Sequence, residues 1–303
     1  MAKELPKDST KFRLNMADYV DPIVFAEDPV VKLTHFQDGL VTLYGPPKLG
    51  KSTLASCIPG AYFCDVEDGL GYLDVRAQRV STWLSFLAFV EDQRAHPAQC
   101  KRVGMYVIDS IDVLVSRCMD FLCKKWNVEE PRDVAWGGTY VEAAKLIDLW
   151  ILRLLETGPG VLLISHERQR KYRFRDMDMT RCSMDLSDTS YSVISNRNHI
   201  MLHMRNLHST EKKPGDTSAT RCLSTQGNEL EDAGDRTKKL PSLIKFNTEA
   251  DAVAQILACF EEGYTKIQNK PIKVKKVLKR SINRPITKPA LKKVILRKGG
   301  ARA

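Results

Sequence analysis

The stretch GLVTLYGPPKLGKSTLA, Gly39 to Ala55, decides how the rest of this chain is read. An apolar run (Leu40, Val41, Leu43, Tyr44) reads as a buried strand, followed by a tight glycine loop and the first turn of a helix. Gly45, Gly50, Lys51 and Ser52 fill the pattern GxxxxGK[ST], and the strand before them is the context the pattern requires. The two glycines let the backbone bend so that its N–H groups converge on phosphate oxygens. The helix offers its positive N-terminal end to the same anion. Lys51 would reach the β and γ phosphates and Ser52 would hold Mg²⁺ through its hydroxyl, while Pro46 and Pro47 stiffen the loop. Gly45 to Thr53, with Lys48 and Leu49 inside the loop, is therefore the expected site for a nucleoside triphosphate and Mg²⁺. The alternative is a glycine turn carrying an exposed lysine.

Outward from this stretch the chain alternates strands and helices. Ala61 to Val66 reads as a second strand and Val80 to Gln93 as a helix with Trp83, Leu84, Phe86, Leu87 and Val90 at largely helical spacing. GMYVI, Gly104 to Ile108, is a continuous apolar run of the kind found in buried parallel strands, and it ends in Asp109. An acid at that strand end can bind Mg²⁺, directly or through water, or simply cap the helix Ile111 to Cys123. Thr139 to Leu155 is the clearest helix, with Asp148 inside its apolar face and so in need of a partner or a marginal position. Val161 to Ile164 is another buried strand, ending in Ser165 and His166. The expected fold is α/β, a mostly parallel central sheet flanked by helices.

Composition narrows the class. No run of eighteen apolar residues occurs and the N-terminal MAKELPKDSTKF is charged, so neither a membrane span nor a leader is expected, and a cytoplasmic location is. Eight cysteines are scattered without a CxxC pair, which favours reduced and mostly buried thiols. The net charge of +10 is unevenly placed. Tyr264 to Ala303 holds fourteen Lys or Arg and no acid, leaving 33 basic against 37 acidic residues in the body. Three segments are expected: an extension at 1–38 packed on the core, the main domain at 39–263, and a basic flexible tail at 264–303. The tail's charge and prolines suit nucleic acid, although a membrane surface or an acidic protein patch would also attract it.

Three further stretches carry chemistry. FCDVEDGL, Phe63 to Leu70, places Asp65, Glu67 and Asp68 where a carboxylate could polarise the water that attacks a γ phosphate; Glu67 is the preferred candidate, an acidic surface turn the alternative. His166 could hydrogen-bond a phosphate or that water, or be an ordinary buried histidine. After it come Arg168, Arg170, Lys171, Arg173 and Arg175 interleaved with Tyr172 and Phe174, which reads as a mobile loop suited to single-stranded nucleic acid, where cations track phosphates and rings stack on bases, the alternative being a solvated charge run. Trp136, Gly137 and Gly138 form a second contact loop or a core tryptophan beside a glycine turn. His199 to Met204 and Ala219 to Ser224 read as paired strands and Ala250 to Glu261 as a final helix.

GPPKLGKST, FCDVEDGL, YVIDSID and VLLISHE, in this order and at these spacings, resemble the RecA-like P-loop ATPases, especially the small bacteriophage RecA-core proteins of recombination and single-strand annealing. The resemblance implies a catalytic role for Glu67 and Lys51, a nucleotide-sensing role for His166, and a metal role for Ser52 and Asp109. It implies DNA contacts at Trp136 to Thr139 and at Arg168 to Arg175. It also implies that a basic residue of one subunit reaches its neighbour's nucleotide, with Arg221, Arg236, Lys238 and Lys239 as candidates. The implied protein is an ATP- and Mg²⁺-dependent homo-oligomer, ring or filament, acting on single-stranded DNA. A single-strand binding protein or other recombination proteins would be its partners, in a host cytoplasm if phage-encoded. A hexameric helicase motor and a nucleotide-gated binding module are the alternatives.

Overall fold

The computed structural model describes residues 33–174, 177–207 and 221–262. Arg175, the first 32 residues and the basic tail lie outside the described residues, as do the side chain of Phe174 and the residues just before Arg221.

Ten strands form one sheet: β1 Leu40–Gly45, β2 Ala61–Asp65, β3 Arg76–Arg79, β4 Met105–Asp109, β5 Gly160–Phe174, β6 Met177–Met184, β7 Ile200–Asn206, β8 Arg221–Ser224, β9 Gly234–Asp235 and β10 Leu243–Phe246. Among the described residues seven α-helices accompany them: α1 Lys51–Ser56, α2 Trp83–Ala95, α3 Pro97–Cys100, α4 Ile111–Trp126, α5 Gly138–Leu155, α6 Asp188–Arg197 and α7 Glu249–Glu262. The order across the sheet is β10-β8-β7-β1-β5-β4-β2-β3. From β7 to β3 every neighbouring pair is parallel, and β8 and β10 close one edge antiparallel. The strand after the glycine loop's own strand in space is thus β5, which separates β1 from β4.

The apolar runs are buried because both faces are covered. Leu40 and Tyr44 of β1, Tyr106 and Ile108 of β4, and Val161 and Leu163 of β5 pack under Phe86, Ile111 and Ile147 of α2, α4 and α5. The alternate residues Val41, Leu43, Met105, Val107, Leu162 and Ile164 meet Leu54 of α1 and Ala252 and Ile256 of α7 on the opposite face. Thr82 caps α2 in a reciprocal box with Ser85, so that helix starts three residues later than its periodicity suggests. Asp148 finds its partner in Arg197 of α6, whose Nη2 donates to it at 2.8 Å. All eight cysteines are free thiols, six of them buried. No helix among the described residues is long and apolar enough to cross a membrane.

One expectation is overturned. The basic stretch after His166 is an extended hairpin, not a loop: β5 runs on without a break and pairs antiparallel with β6, from Glu167↔Met184 to Phe174↔Met177. Arg168, Arg170 and Tyr172 share one face of it and Lys171 and Arg173 the other. The first face is anchored. Arg170 donates to Ser183 Oγ and to the Leu186 carbonyl, each at 2.6 Å, pairs with Asp188, and lies 4.5 Å from the ring centre of Tyr191. The Tyr172 hydroxyl donates to the Glu229 carbonyl at 2.8 Å.

Candidate active site

The carboxyl ends of β1, β2, β4 and β5 assemble the site. The loop after β1 turns through Gly45, where a Cβ would collide with the Met204 carbonyl, and Gly50, whose φ of +99° belongs to the left-handed region. Gly50 is also the N-cap of α1, so the loop's N–H groups and the helix start converge on one place. Lys51 is buried and its Nζ donates to the carbonyls of Gly45 at 2.9 Å and Pro46 at 2.8 Å, closing the loop on itself. Burial lowers its pKa, against the opposing pull of Asp109 and other nearby acids. An ammonium held this way exchanges two neutral carbonyls for phosphate oxygens with little rearrangement. Lys48 adopts a left-handed φ of 62° at the exposed loop tip.

Ser52, in the first turn of α1, donates to Asp109 Oδ2 at 2.6 Å. Burial pushes Asp109 up to about 6; the Ser52 hydrogen bond opposes this, while Glu67 and Asp65 add to it. A hydroxyl and a carboxylate touching beside a phosphate cradle are the hard oxygen donors that Mg²⁺ takes, so the residues present fit that ion. Divalent charge there would supply the compensation that Asp109 lacks.

Glu67 accepts a hydrogen bond from Ser110 Oγ and lies 3.9 Å from His166 Nδ1. Of the three acids in this stretch, Asp68 turns away to pair with Arg79 at 2.6 Å and Asp65, the last residue of β2, sits beside Asp109 and accepts from the Gly69 N–H at 3.3 Å, which leaves Glu67 as the acid that meets Ser110 and His166. His166 is held by Asp112, which meets its Nδ1 at 2.7 Å and its backbone N–H at 3.4 Å. That bond raises the His166 pKa above its ordinary value, outweighing burial. Glu67, Asp112 and His166 offer ligand atoms within 4.8 Å of one another. Asp112 and Ser110 were not legible as site residues, because an acid in the first turn of a helix is ordinary sequence. The signal that could have found them is the run DSID itself: Asp109 ends β4 while Ser110 and Asp112 begin α4, all at one strand end.

Other expected residues lie elsewhere. Trp136 is 98% exposed at a left-handed φ of 60°, with Gly137 and Gly138 leading into α5. It is therefore no core tryptophan. Arg168, Lys171 and Arg173 are exposed along the hairpin. Arg236 donates to the Asn196 carbonyl at 2.6 Å, Lys238 sits exposed in a turn at φ 55°, and Lys239 donates to the Thr34 carbonyl at 3.1 Å above the Phe260 ring. These three follow β9, which pairs with the first residues of β7, so they belong to the opposite end of the sheet from the glycine loop. Arg221 lies against the loop of its own chain, with Nη1 donating to the Leu49 carbonyl at 3.2 Å.

A phosphate-binding loop, a hydroxyl–carboxylate pair that fits Mg²⁺ and a further carboxylate beside them are the features of a P-loop nucleoside triphosphatase. The chain belongs to the AAA-type P-loop ATPases of the AAA_24 family, whose description is AAA domain and which matches residues 39–237. No curated protein matches it.

Proposed function

We propose that this ATPase is RecA-like, works on single-stranded DNA and assists recombination, annealing or repair as a homo-oligomer, in a phage setting. One observation carries the reading: the strand that ends the nucleotide site at His166 continues without interruption into the basic hairpin. Nucleotide chemistry and the proposed DNA contacts then share one backbone, which suits a motor whose grip depends on ATP. Exposed Arg168, Lys171 and Arg173 provide sequence-tolerant attraction to phosphates. Trp136, presented at near-complete exposure, provides a stacking platform for a base. The strand order β7-β1-β5-β4-β2, with the sensor strand between the glycine-loop and Asp109 strands, supports the RecA-like assignment.

The chain's own residues divide the work. The loop N–H groups and Lys51 bind the phosphates, Ser52 and Asp109 hold Mg²⁺, and Glu67 orients the attacking water and draws its proton. Mg²⁺ when bound neutralises charge developing on the phosphate oxygens. Residues 39–263 would act as the ATPase domain and 264–303 as a basic tail adding affinity for DNA.

ATPase rates measured with no DNA, single strands and duplex test this. Stimulation by single strands is expected, together with a two- to tenfold loss of strand affinity, roughly, in Lys171→Ala/Arg173→Ala and a flatter salt dependence. Rates indifferent to DNA would leave a nucleotide-gated binding module, and ATP-driven unwinding of a fork would identify a helicase motor instead.

A further inference from the structure

The phosphate loop is braced from outside by an ion pair that the chemistry above does not use. Arg221 opens β8 and Glu249 opens α7. Arg221 Nη1 pairs with Glu249 Oε1 and donates to the Leu49 carbonyl at 3.2 Å, while Nη2 donates to the Asn247 carbonyl at 3.0 Å. The guanidinium carbon lies 5.3 Å from the Phe246 ring centre. The two side chains are only 22% and 18% exposed. They pack directly on the loop: a Cβ added to Gly50 would sit 2.6 Å from Glu249 Oε1 and 3.1 Å from Arg221 Nη1.

The peptide between Leu49 and Gly50 is planar, with its carbonyl and N–H pointing in opposite directions. Holding the Leu49 oxygen on one side therefore aims the Gly50 N–H to the other, toward the phosphate cradle. A charged donor on that carbonyl also polarises the peptide and makes its N–H a stronger donor. We infer that Arg221 and Glu249 act in cis as a clamp that orients the Leu49–Gly50 peptide for phosphate binding, Arg221 being a positioning residue of its own subunit and not a donor to a neighbour's nucleotide. Glu249 fixes the guanidinium but brings a carboxylate close to an anion site, tolerable only while Arg221 neutralises it. The two members are therefore unequal. Without Arg221 the carboxylate is left uncompensated on the outer side of the loop, its charge opposing the incoming phosphates across the Leu49–Gly50 peptide; without the Glu249 charge the guanidinium loses only one of its anchors.

This inference rests on ATP binding at the loop, which Lys51→Ala tests separately. ATP dissociation constants would be measured for the full chain and for Arg221→Gln, Glu249→Gln and the double variant, alongside melting temperatures without nucleotide. The expected order is a loss of affinity of roughly 10- to 100-fold for Arg221→Gln, a smaller loss for Glu249→Gln, and a double variant that binds better than Arg221→Gln alone. A merely structural role would make the double variant the worst of the three. KM should rise with these losses while kcat at saturating ATP changes far less. Subunits of Arg221→Gln mixed with subunits of Lys51→Ala should show no recovery, because the clamp works within one chain. Recovery on mixing, or ATP affinity of Arg221→Gln within about twofold of the parent while Lys51→Ala binds none, would overturn the clamp and leave the ATPase assignment standing.

Discussion

Two clusters of charge meet on β5 at adjacent residues, and they are built to opposite rules. His166 belongs to the nucleotide site, where Glu67, Asp109 and Asp112 gather around Lys51 and a single imidazole, and where burial, with Glu67 and Asp65 adding to it, holds Asp109 up at about 6. Glu167 belongs to a network one step away. His203 of β7 is buried between two carboxylates, Nε2 at 2.9 Å from Glu167 and Nδ1 at 2.6 Å from Glu231, with Arg205 Nε donating to the same Glu231 oxygen at 3.0 Å. Tyr44, the residue before the glycine loop, stacks on the His203 ring at 4.5 Å. Burial alone would raise the pKa of Glu231, but His203, Arg205 and Ser224 together hold it below the ordinary value. The second cluster satisfies itself and reads as structure. The first carries acids that only an arriving cation can balance, and that deficit marks it as the place where chemistry happens.

The largest expected effect lies in the unbalanced cluster. Glu67→Gln should slow ATP hydrolysis by about 10²- to 10⁴-fold with binding nearly intact, as read by single-turnover kinetics beside a nucleotide-binding isotherm. Unimpaired turnover would remove Glu67 from the role. The balanced cluster should respond in stability instead. His203→Ala leaves two carboxylates and an arginine without their hub and should lower the unfolding free energy by about 3–5 kcal/mol in urea titrations. A smaller change of opposite sign separates the two regions most sharply. Asp109→Asn should raise the stability of the nucleotide- and metal-free protein by about 2–3 kcal/mol at neutral pH while abolishing Mg²⁺-dependent turnover.

The pH dependence follows from the same residue. Asp109 titrates higher folded than unfolded, so between about pH 4 and its folded value near 6 the native chain binds the extra proton. Stability contributed by that proton is present at the acid end and is lost as pH rises through about 6. The parent should therefore show a falling contribution across that window that Asp109→Asn lacks, measured as the difference between their urea midpoints. Parallel curves would mean that Asp109 is already compensated.

How much of this was legible in the sequence depends on whether a residue's role is local. The glycine loop, Asp109, Glu67 and His166 each sit at the end of an apolar run, and an apolar run followed by a polar stop marks a strand end without any knowledge of the fold. The hairpin was hidden because its first arm is dominated by charge, in five of the eight residues from Glu167 to Phe174. Arg168 to Arg173 alternates faces like any strand, yet both faces carry cations, so no hydrophobic period survives to be read. β3, whose residues Arg76 to Arg79 are all exposed, was hidden in the same way. The His203 network could not be read at all: Glu167, His203 and Glu231 are brought together by the neighbouring of β5, β1 and β7 and by a loop far along the chain. Arg221 looked like a donor for a neighbour because a lone arginine on a short strand says nothing about which nucleotide loop it meets.

The unbroken course of β5 has a mechanical consequence. From Glu167 to Phe174 the strand extends roughly 26 Å beyond His166 at about 3.3 Å per residue. With cations on both faces, its register with β6 is pinned not by a buried face but by the anchored side chains of Arg170 and Tyr172. The arm is tethered midway by Arg170 to α6 and near its far end by Tyr172 to the Glu229 loop, so it moves only if those elements move with it. A rotation of about 5° at His166 would carry the far end some 2 Å by simple leverage, roughly the scale on which packed elements shift in switching proteins.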